Sequence, residues 1–236
     1  MESDADDSLA RRVHQILDRI RCAAERAGRL PEMVRLVAAT KTVPAERIRE
    51  GLGVGLSLLG ENRMQEALSK GALLRDLSPR WHFIGQLQRR KVRDAVGTFE
   101  LIHSVDSVEL AQEINRRAGD AGIQQAVLLE VNIADEASKA GFSTQGLMQA
   151  LGLLGDLPHL RIHGLMTIPP PTEQPEDARP YFRDLRELGA RIAAQRISSV
   201  VMQEYSMGMS HDFEVAIEEG ATLVRVGTAI FGARHG

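Results

Sequence analysis

Lysine is rare in this chain, and one lysine stands where an amine could do chemistry. Only four of the 29 basic residues are lysines, so a lysine at a special position suggests a task that a guanidinium cannot perform. Lys41 ends the apolar run VRLVAATK, and a strand-end amine beside apolar walls can attack an aldehyde to form a Schiff base. The alternative is a lysine whose stem only covers apolar surface.

The other three lysines are weaker candidates for a reactive amine. Lys139 lies in the polar loop DEASKAGFS, and its solvated setting argues against use as a nucleophile. Lys70 and Lys91 lie in helical segments, where we expect them to be surface charges. Lys41 is therefore the predicted nucleophile.

Two glycine- and hydroxyl-bearing turns could bind a phosphate group. They are SMGMS at 206–210 and GTAIFG at 227–232, and each follows an apolar strand. Backbone N–H groups in such loops can form a phosphate cup, and glycine lets the backbone approach the oxygens closely. The alternative for the first turn is plain helix capping by Ser210. The candidate phosphate contacts are Ser206, Ser210, Gly227 and Thr228.

Two further polar residues are candidates for ligand contacts. Arg225 lies inside the apolar strand TLVRVG, where a guanidinium that faces inward needs a partner. It could donate to a ring nitrogen or a ligand anion, or it could form an ion pair with an inward carboxylate such as Glu130. Asn62 could hold a ligand hydroxyl or cap the next helix. His82 and His103 are predicted to be core residues, and without a zinc-like spacing we expect no metal site.

Apolar runs alternate with helically spaced segments along the chain, which indicates βα units. Eight such units in 236 residues, close to the roughly 250 typical of the fold, predict a single (β/α)₈ TIM barrel with an extra N-terminal helix that stops near Gly28. The predicted strands are Val34–Thr40, Leu56–Leu59, Trp81–Ile84, Leu101–Ser104, Ala126–Ile133, Ile162–Thr167, Val200–Tyr205 and Leu223–Val226. The predicted helices are Ala45–Gly51, Arg63–Leu74, Lys91–Val96, Val108–Ala121, Thr144–Leu154, Glu176–Gln195 and Phe213–Glu219.

Composition narrows the class of protein. A net charge of −3 gives no general attraction for nucleic acid or for an anionic membrane. The lone Cys22 argues against a disulfide framework, and neither a signal segment nor a long apolar run is visible. We therefore expect one cytoplasmic domain over residues 1–236, with 1–7 as a flexible tail and no nucleic acid or membrane as partner.

Seven motifs, in order, connect these residues to a known family. The sequence contains LVAATKTVP, GENRMQEALSK, WHFIGQLQRRK, IHSVD, VNIADEASKAGFS, HGLMTIPP and SMGMSHDFEVAIEEGATLVRVGTAIFGAR. Together they resemble the pyridoxal phosphate homeostasis proteins over nearly the whole chain. The resemblance implies a barrel like the alanine racemase N-terminal domain, with pyridoxal 5′-phosphate (PLP) held by a lysine as an internal aldimine.

The resemblance also implies a role for each candidate residue. Lys41 would form the Schiff base, and Arg225 would face the pyridine nitrogen. Asn62 and Met166 would line the ring pocket. The residues implied to bind the phosphate are Ser206, Gly227 and Thr228, with Ser210 beside them.

The implied function is PLP and amino-acid homeostasis without robust catalysis. Racemases of this fold use a tyrosine from an added β-domain as a second base, whereas this sequence ends at Gly236 and has only Tyr181 and Tyr205. An arginine against the ring nitrogen would also weaken the cofactor as an electron sink. The alternatives are a weak PLP-dependent amino-acid racemase and a Schiff-base aldolase. We expect a monomer, with apo forms of PLP-dependent enzymes as candidate partners.

Overall fold

Eight parallel strands form a closed barrel in chain order. The computed structural model describes residues 8–136 and 139–232. The barrel closes where the first strand pairs with the last, with Ala38 opposite Val226. The strands are Arg35–Ala39 (β1), Leu58–Glu61 (β2), Arg80–Phe83 (β3), Leu101–Val105 (β4), Gln125–Glu130 (β5), Leu160–Met166 (β6), Val200–Met209 (β7) and Leu223–Val226 (β8). The predicted (β/α)₈ barrel is confirmed.

Helices connect the strands, as the βα pattern predicts. They are Leu9–Arg26 (α1), Ala45–Gly53 (α2), Met64–Leu73 (α3), Val92–Ala95 (α4), Val108–Asp120 (α5), Thr144–Gly155 (α6), Arg179–Ala193 (α7), Phe213–Glu218 (α8) and Thr228–Phe231 (α9). The predicted helices at 91–96 and 176–195 were drawn as uniform, but 3₁₀ helices at Arg89–Lys91 and Pro175–Ala178 precede α4 and α7.

Alternate residues of the strands belong to two separate apolar clusters. Val37 and Leu128 belong to a small cluster built from strand and strand-end residues, whereas their neighbours Ala38 and Leu129 belong to the large cluster that includes the helices. Successive side chains of a strand point to opposite faces. The small cluster therefore fills the barrel, and the large cluster joins the barrel to its helices.

Helix α1 is the predicted extra helix before the barrel. Its stop is confirmed, because Gly28 has φ +65° and Arg29 N donates back to Ala24 O. The apolar face is buried, apart from Leu17 at its edge. The predicted tail at 1–7 lies outside the described residues. Among the described residues, no helix combines the length and apolar character needed to cross a bilayer.

Strand β7 is longer than its sequence predicts. The SMGMS segment reads as a turn, but β7 continues through Met209. Between the pairs Ser206–Leu223 and Met209–Arg225, β7 advances by three residues and β8 by two, which is a β-bulge. Gly208 lies in this interval with φ +88°, and a Cβ there would meet Phe213 Cα at 2.9 Å. Glycine thus allows the strand to continue, although its composition resembles that of a turn.

Candidate functional site

A cavity of about 640 Å³ opens where the strands end, at the face where barrel proteins place their sites. Its lining includes residues that directly follow β1, β2, β7 and β8. Of the predicted site residues, those that line the cavity are Lys41, Asn62, Ser210, Arg225, Gly227 and Thr228. Residues far apart in sequence therefore meet at one mouth.

Lys41 reaches the cavity from the loop that follows β1. Thr40 N donates to Gly60 O, which continues the strand pairing up to the lysine. The next residue, Thr42, has φ +64°, a left-handed conformation that β-branched residues rarely adopt. The chain thus turns sharply at Lys41, and the lysine is partly buried.

Lys70 is buried, so its prediction as a surface charge is wrong. Its ammonium lies 2.5 Å from Glu61 Oε1 and 2.9 Å from Glu66 Oε2. Burial would raise the pKa of Glu66, but hydrogen bonds from Lys70 and from Thr42 N–H hold it below its usual value. A buried ammonium persists when it is paired in this way, and Glu61 supplies that partner from a different element, β2.

Arg225 is buried on β8 and is held by neutral acceptors. Its Nη1 donates to Ser206 Oγ at 2.5 Å and its Nη2 to Thr167 O at 2.9 Å. Burial lowers its pKa to about 10, while Glu130 and Asp212 oppose this shift. The guanidinium is thus still cationic at neutral pH. The alternative of a direct ion pair with Glu130 is not formed.

Ser206 and Met166 do not line the cavity. Met166 packs in the small apolar cluster that fills the barrel. Ser206 is fully buried, and its Oγ lies 2.8 Å from His103 Nδ1 as well as beside Arg225. The prediction of Ser206 as a phosphate contact therefore meets a different arrangement, in which its hydroxyl bridges a histidine and an arginine.

The two histidines of the barrel continue this chain of contacts. His103 Nε2 lies 2.8 Å from His82 Nδ1. Burial lowers the pKa of His82 to about 4 and that of His103 well below its usual value. Both rings are therefore neutral at pH 7, and the prediction that they are core residues is confirmed. No group of three or more metal-ligating side chains occurs in residues 8–136 and 139–232.

The turn that contains Ser210 is fixed by Asp212. Asp212 Oδ1 accepts from Met209 N at 2.6 Å, and Asp212 is the N-cap position of α8. The alternative of Ser210 as the helix cap is wrong, because α8 begins at Phe213, two residues later than that role needs. Ser210 instead lines the cavity, where its hydroxyl is available to a ligand.

The turn at Gly227 brings backbone close to β1. A Cβ on Gly227 would meet Ala39 O at 3.0 Å. The first hydrogen bonds of α9 are donated by Ile230 and Phe231 to Gly227 O. The N–H groups of Thr228 and Ala229 precede them and are directed away from the helix. This end of the cavity therefore offers donors to an anion.

Asn62 lines the cavity instead of capping α3. The N-cap position of α3 is Arg63, which makes no side-chain cap bond. Asn62 N donates to Glu61 Oε2 at 3.1 Å, so the buried carboxylate fixes its backbone. Of the two alternatives for Asn62, the structure thus favours the ligand contact.

Sequence reasoning missed several lining residues. They are the rim residues Arg47, Ile168, Met209 and His211. Arg47 carries a usable signal, since it lies in the first turn of the helix that follows Lys41, and first turns face the barrel mouth. Lys139, the rival amine, is 2.5 Å from Glu136 Oε1 and donates to Ile168 O at 3.4 Å, so it lies close to this rim.

Comparison with known proteins gives this site a context. Residues 12–235 match the family model described as the alanine racemase N-terminal domain. The chain is 52% identical over 223 residues to the pyridoxal phosphate homeostasis protein of Aquifex aeolicus, covering 94% of this chain and 97% of that one. The homonymous protein of Pseudomonas aeruginosa is 43% identical over 228 residues, with 96% of each chain covered. The chain belongs to the pyridoxal phosphate homeostasis protein family.

Solved structures agree with this family assignment. PipY of Synechococcus elongatus, whose structure was determined with PLP bound, is 38% identical with a TM-score of 0.80, covering 92% of this chain and all of that one. A protein of unknown function from Bifidobacterium adolescentis has a TM-score of 0.90 at 38% identity, covering 98% and 97%. The alanine racemase of Clostridium difficile shares the fold, with a TM-score of 0.68 at 15% identity, over 95% of this chain and 56% of the racemase.

Proposed function

We propose that this chain is a single PLP-binding domain that serves PLP and amino-acid homeostasis. In this proposal Lys41 Nζ holds the cofactor covalently through its aldehyde carbon. The names of the family's curated relatives and the PLP-bound relative support the choice of ligand. The observation that carries the proposal is the meeting of Lys41, Arg225 and the Gly227 turn in one cavity.

The donors of the cavity fit this ligand. PLP offers an aldehyde, a pyridine nitrogen and a phosphate, which call for an amine, a hydrogen-bond donor and a set of anion-binding groups. Lys41 supplies the amine and Arg225 the buried donor. Thr228, Ser210 and the Gly227 backbone supply groups for the phosphate. Among the described lining residues none is a carboxylate, so an anion meets no like charge at the wall.

PLP in enzymes acts as an electron sink for carbanions at an amino-acid Cα. Here the cationic Arg225 would face the ring nitrogen and disfavour its protonation, which weakens the sink. Neither tyrosine of the chain lines the cavity, and Tyr205 packs against Gly189 of α7 on the outside of the barrel. We therefore propose binding and regulation without robust catalysis.

The test is covalent capture of PLP. We expect wild-type protein to show visible absorbance after incubation with PLP, and borohydride reduction to fix the added mass on the peptide that contains Lys41. Lys41→Ala should lose both signals, while Lys91→Ala, a control in the 3₁₀ helix before α4, should keep them. A reducible PLP linkage that persists in Lys41→Ala would contradict the assignment.

Two further measurements separate the alternative functions. A weak racemase would exchange the Cα hydrogen of amino acids for deuterium in heavy water faster than free PLP does. An aldolase would show borohydride trapping only after addition of a ketose phosphate. A PLP-binding regulator should show neither behaviour.

A further inference from the structure

The buried Lys70 has no role in the function proposed above. Its ammonium has three N–H donors, and three acceptors receive them: Glu61 Oε1 at 2.5 Å, Glu66 Oε2 at 2.9 Å and Thr40 O at 2.8 Å. Glu61 is fully buried and Glu66 partly so. We call Glu61, Glu66 and Lys70 the Lys70 triad.

The triad binds both peptide groups that flank Lys41. On one side, Thr40 O accepts from Lys70 Nζ. On the other side, Thr42 N donates to Glu66 Oε2 at 2.9 Å. These two groups belong to the peptide bonds before and after the Lys41 Cα. One buried ion cluster therefore fixes the backbone from which the lysine side chain leaves.

Two more contacts tie the same cluster to the site. The Thr40 hydroxyl lies 2.8 Å from Glu61 Oε1, and Glu61 Oε2 accepts from Asn62 N. Thr42 also has the left-handed backbone noted above. A residue in such a conformation needs surrounding contacts that hold it there, and the bond from Thr42 N–H to Glu66 is one of them.

We propose that the Lys70 triad positions Lys41 for its reaction with the aldehyde, an inference that rests on the proposed function. In that reaction the neutral amine adds to the aldehyde carbon, a C=N bond replaces the C=O bond, and the oxygen leaves as water. The triad does not touch the reacting atoms. It fixes the direction of the Lys41 side chain, and small displacements of an attacking group have large effects on rate.

The experiment compares two variants at Glu66. Glu66→Ala removes the acceptor of Thr42 N–H, whereas Glu66→Gln keeps an acceptor oxygen. We expect Glu66→Ala to slow covalent capture of PLP, followed by stopped-flow absorbance at saturating PLP, by about tenfold or more. Glu66→Gln should stay close to wild type. Glu25→Ala, which removes an exposed i,i+4 ion pair from α1, is the matched control.

A second measurement separates positioning from general damage to the fold. Pyridoxine 5′-phosphate has the ring and phosphate of PLP but no aldehyde, so its affinity reports the pocket without the covalent step. The proposal requires this affinity to be unchanged in Glu66→Ala. An unchanged capture rate, or a parallel loss of rate and analogue affinity, would overturn it.

The remaining outcomes are also assigned. If Glu66→Ala does not fold, Glu66→Asp, whose carboxylate is one methylene shorter, should give the same selective loss of rate, and an unchanged rate there overturns the proposal. If wild-type protein captures no PLP at all, the proposed function fails instead of the role of the triad.

Discussion

Arg225 donates a hydrogen bond to Ser206 Oγ across the β7–β8 pair, at 2.5 Å. The hydroxyl of Ser206 also lies 2.8 Å from His103 Nδ1. Ser206 is fully buried and is not part of the cavity lining. The serine is therefore placed to act on a bound cofactor through the arginine, and not by direct contact with a phosphate.

Replacement of Ser206 by alanine should destabilise the protein. The buried guanidinium would lose an acceptor, which costs about 2 kcal/mol of unfolding free energy. Urea unfolding would measure this loss, with the exposed Ser57→Ala as the control. PLP and pyridoxal should lose affinity by the same factor, since Arg225 faces the ring of both. A loss confined to PLP would instead indicate a direct phosphate contact.

The hydrogen-bond chain from Arg225 to His82 predicts the tautomers of both histidines. A guanidinium can only donate, so Ser206 Oγ accepts from it and its own proton is best used toward His103 Nδ1. His103 then carries its proton on Nε2 and donates to His82 Nδ1. The reverse direction would leave both the serine hydroxyl and His82 Nε2 unsatisfied, instead of His82 Nε2 alone.

We therefore expect neutral Nε2–H rings for His82 and His103 at pH 7. Long-range ¹H–¹⁵N correlation spectra report the protonation of each ring nitrogen and would test this directly. The His103 signals should change in Ser206→Ala, while those of the exposed His211 serve as a reference. A proton on Nδ1 of His103 would contradict the direction of the chain.

The barrel and most cavity residues could be predicted from the sequence, because the relevant signals are local. Consecutive apolar residues marked the strands, and the residue at each strand end follows from the barrel geometry. Lys41 and Gly227 were found in this way. The role of Lys70 could not be found, since one of its carboxylate partners, Glu61, belongs to β2 and comes close only after folding.

The SMGMS segment illustrates a second limit of local signals. Its serine and glycine residues predict a turn, yet a β-bulge lets β7 continue through it. That bulge depends on the partner strand, because it is defined by the pairing of Met209 with Arg225. The same pairing buries Ser206 and brings it to the arginine, so its actual contacts were not visible in the sequence.

Glu130 should make the stability of the protein fall as the pH rises. Burial raises its pKa to about 7, and the nearby Asp106 adds to this while Arg225 opposes it. Because the pKa is higher in the folded state, the folded protein retains a proton that the unfolded chain has released. The stabilisation is complete below about pH 4.5 and is lost as the pH rises through about 7.

Glu130→Gln should remove much of this dependence. Wild type should lose about 2 kcal/mol between pH 5 and pH 8, a value that allows for partial solvent exposure, whereas the variant should change less. Urea unfolding of the cofactor-free protein at several pH values gives the comparison, and the exposed Glu187→Gln is the control. Equal slopes for wild type and Glu130→Gln would show that another group is responsible.

The hydroxyl of Thr228 should contribute to phosphate binding. Thr228 begins α9 at the cavity wall, next to the close approach of Gly227 to β1. Thr228→Val keeps the shape of the side chain but removes its donor. Loss of one hydrogen bond to a charged group costs about 1.5 kcal/mol, or roughly tenfold in Kd.

Comparison of two ligands makes this prediction specific. Thr228→Val should weaken pyridoxine 5′-phosphate, measured by calorimetry, and leave the affinity for pyridoxine, which lacks the phosphate, unchanged. Thr228→Ser should restore the affinity, because serine supplies the same hydroxyl from the same backbone position. If the valine variant binds the phosphorylated ligand as tightly as wild type does, the phosphate is held by the backbone of the turn and the hydroxyl has no part in it.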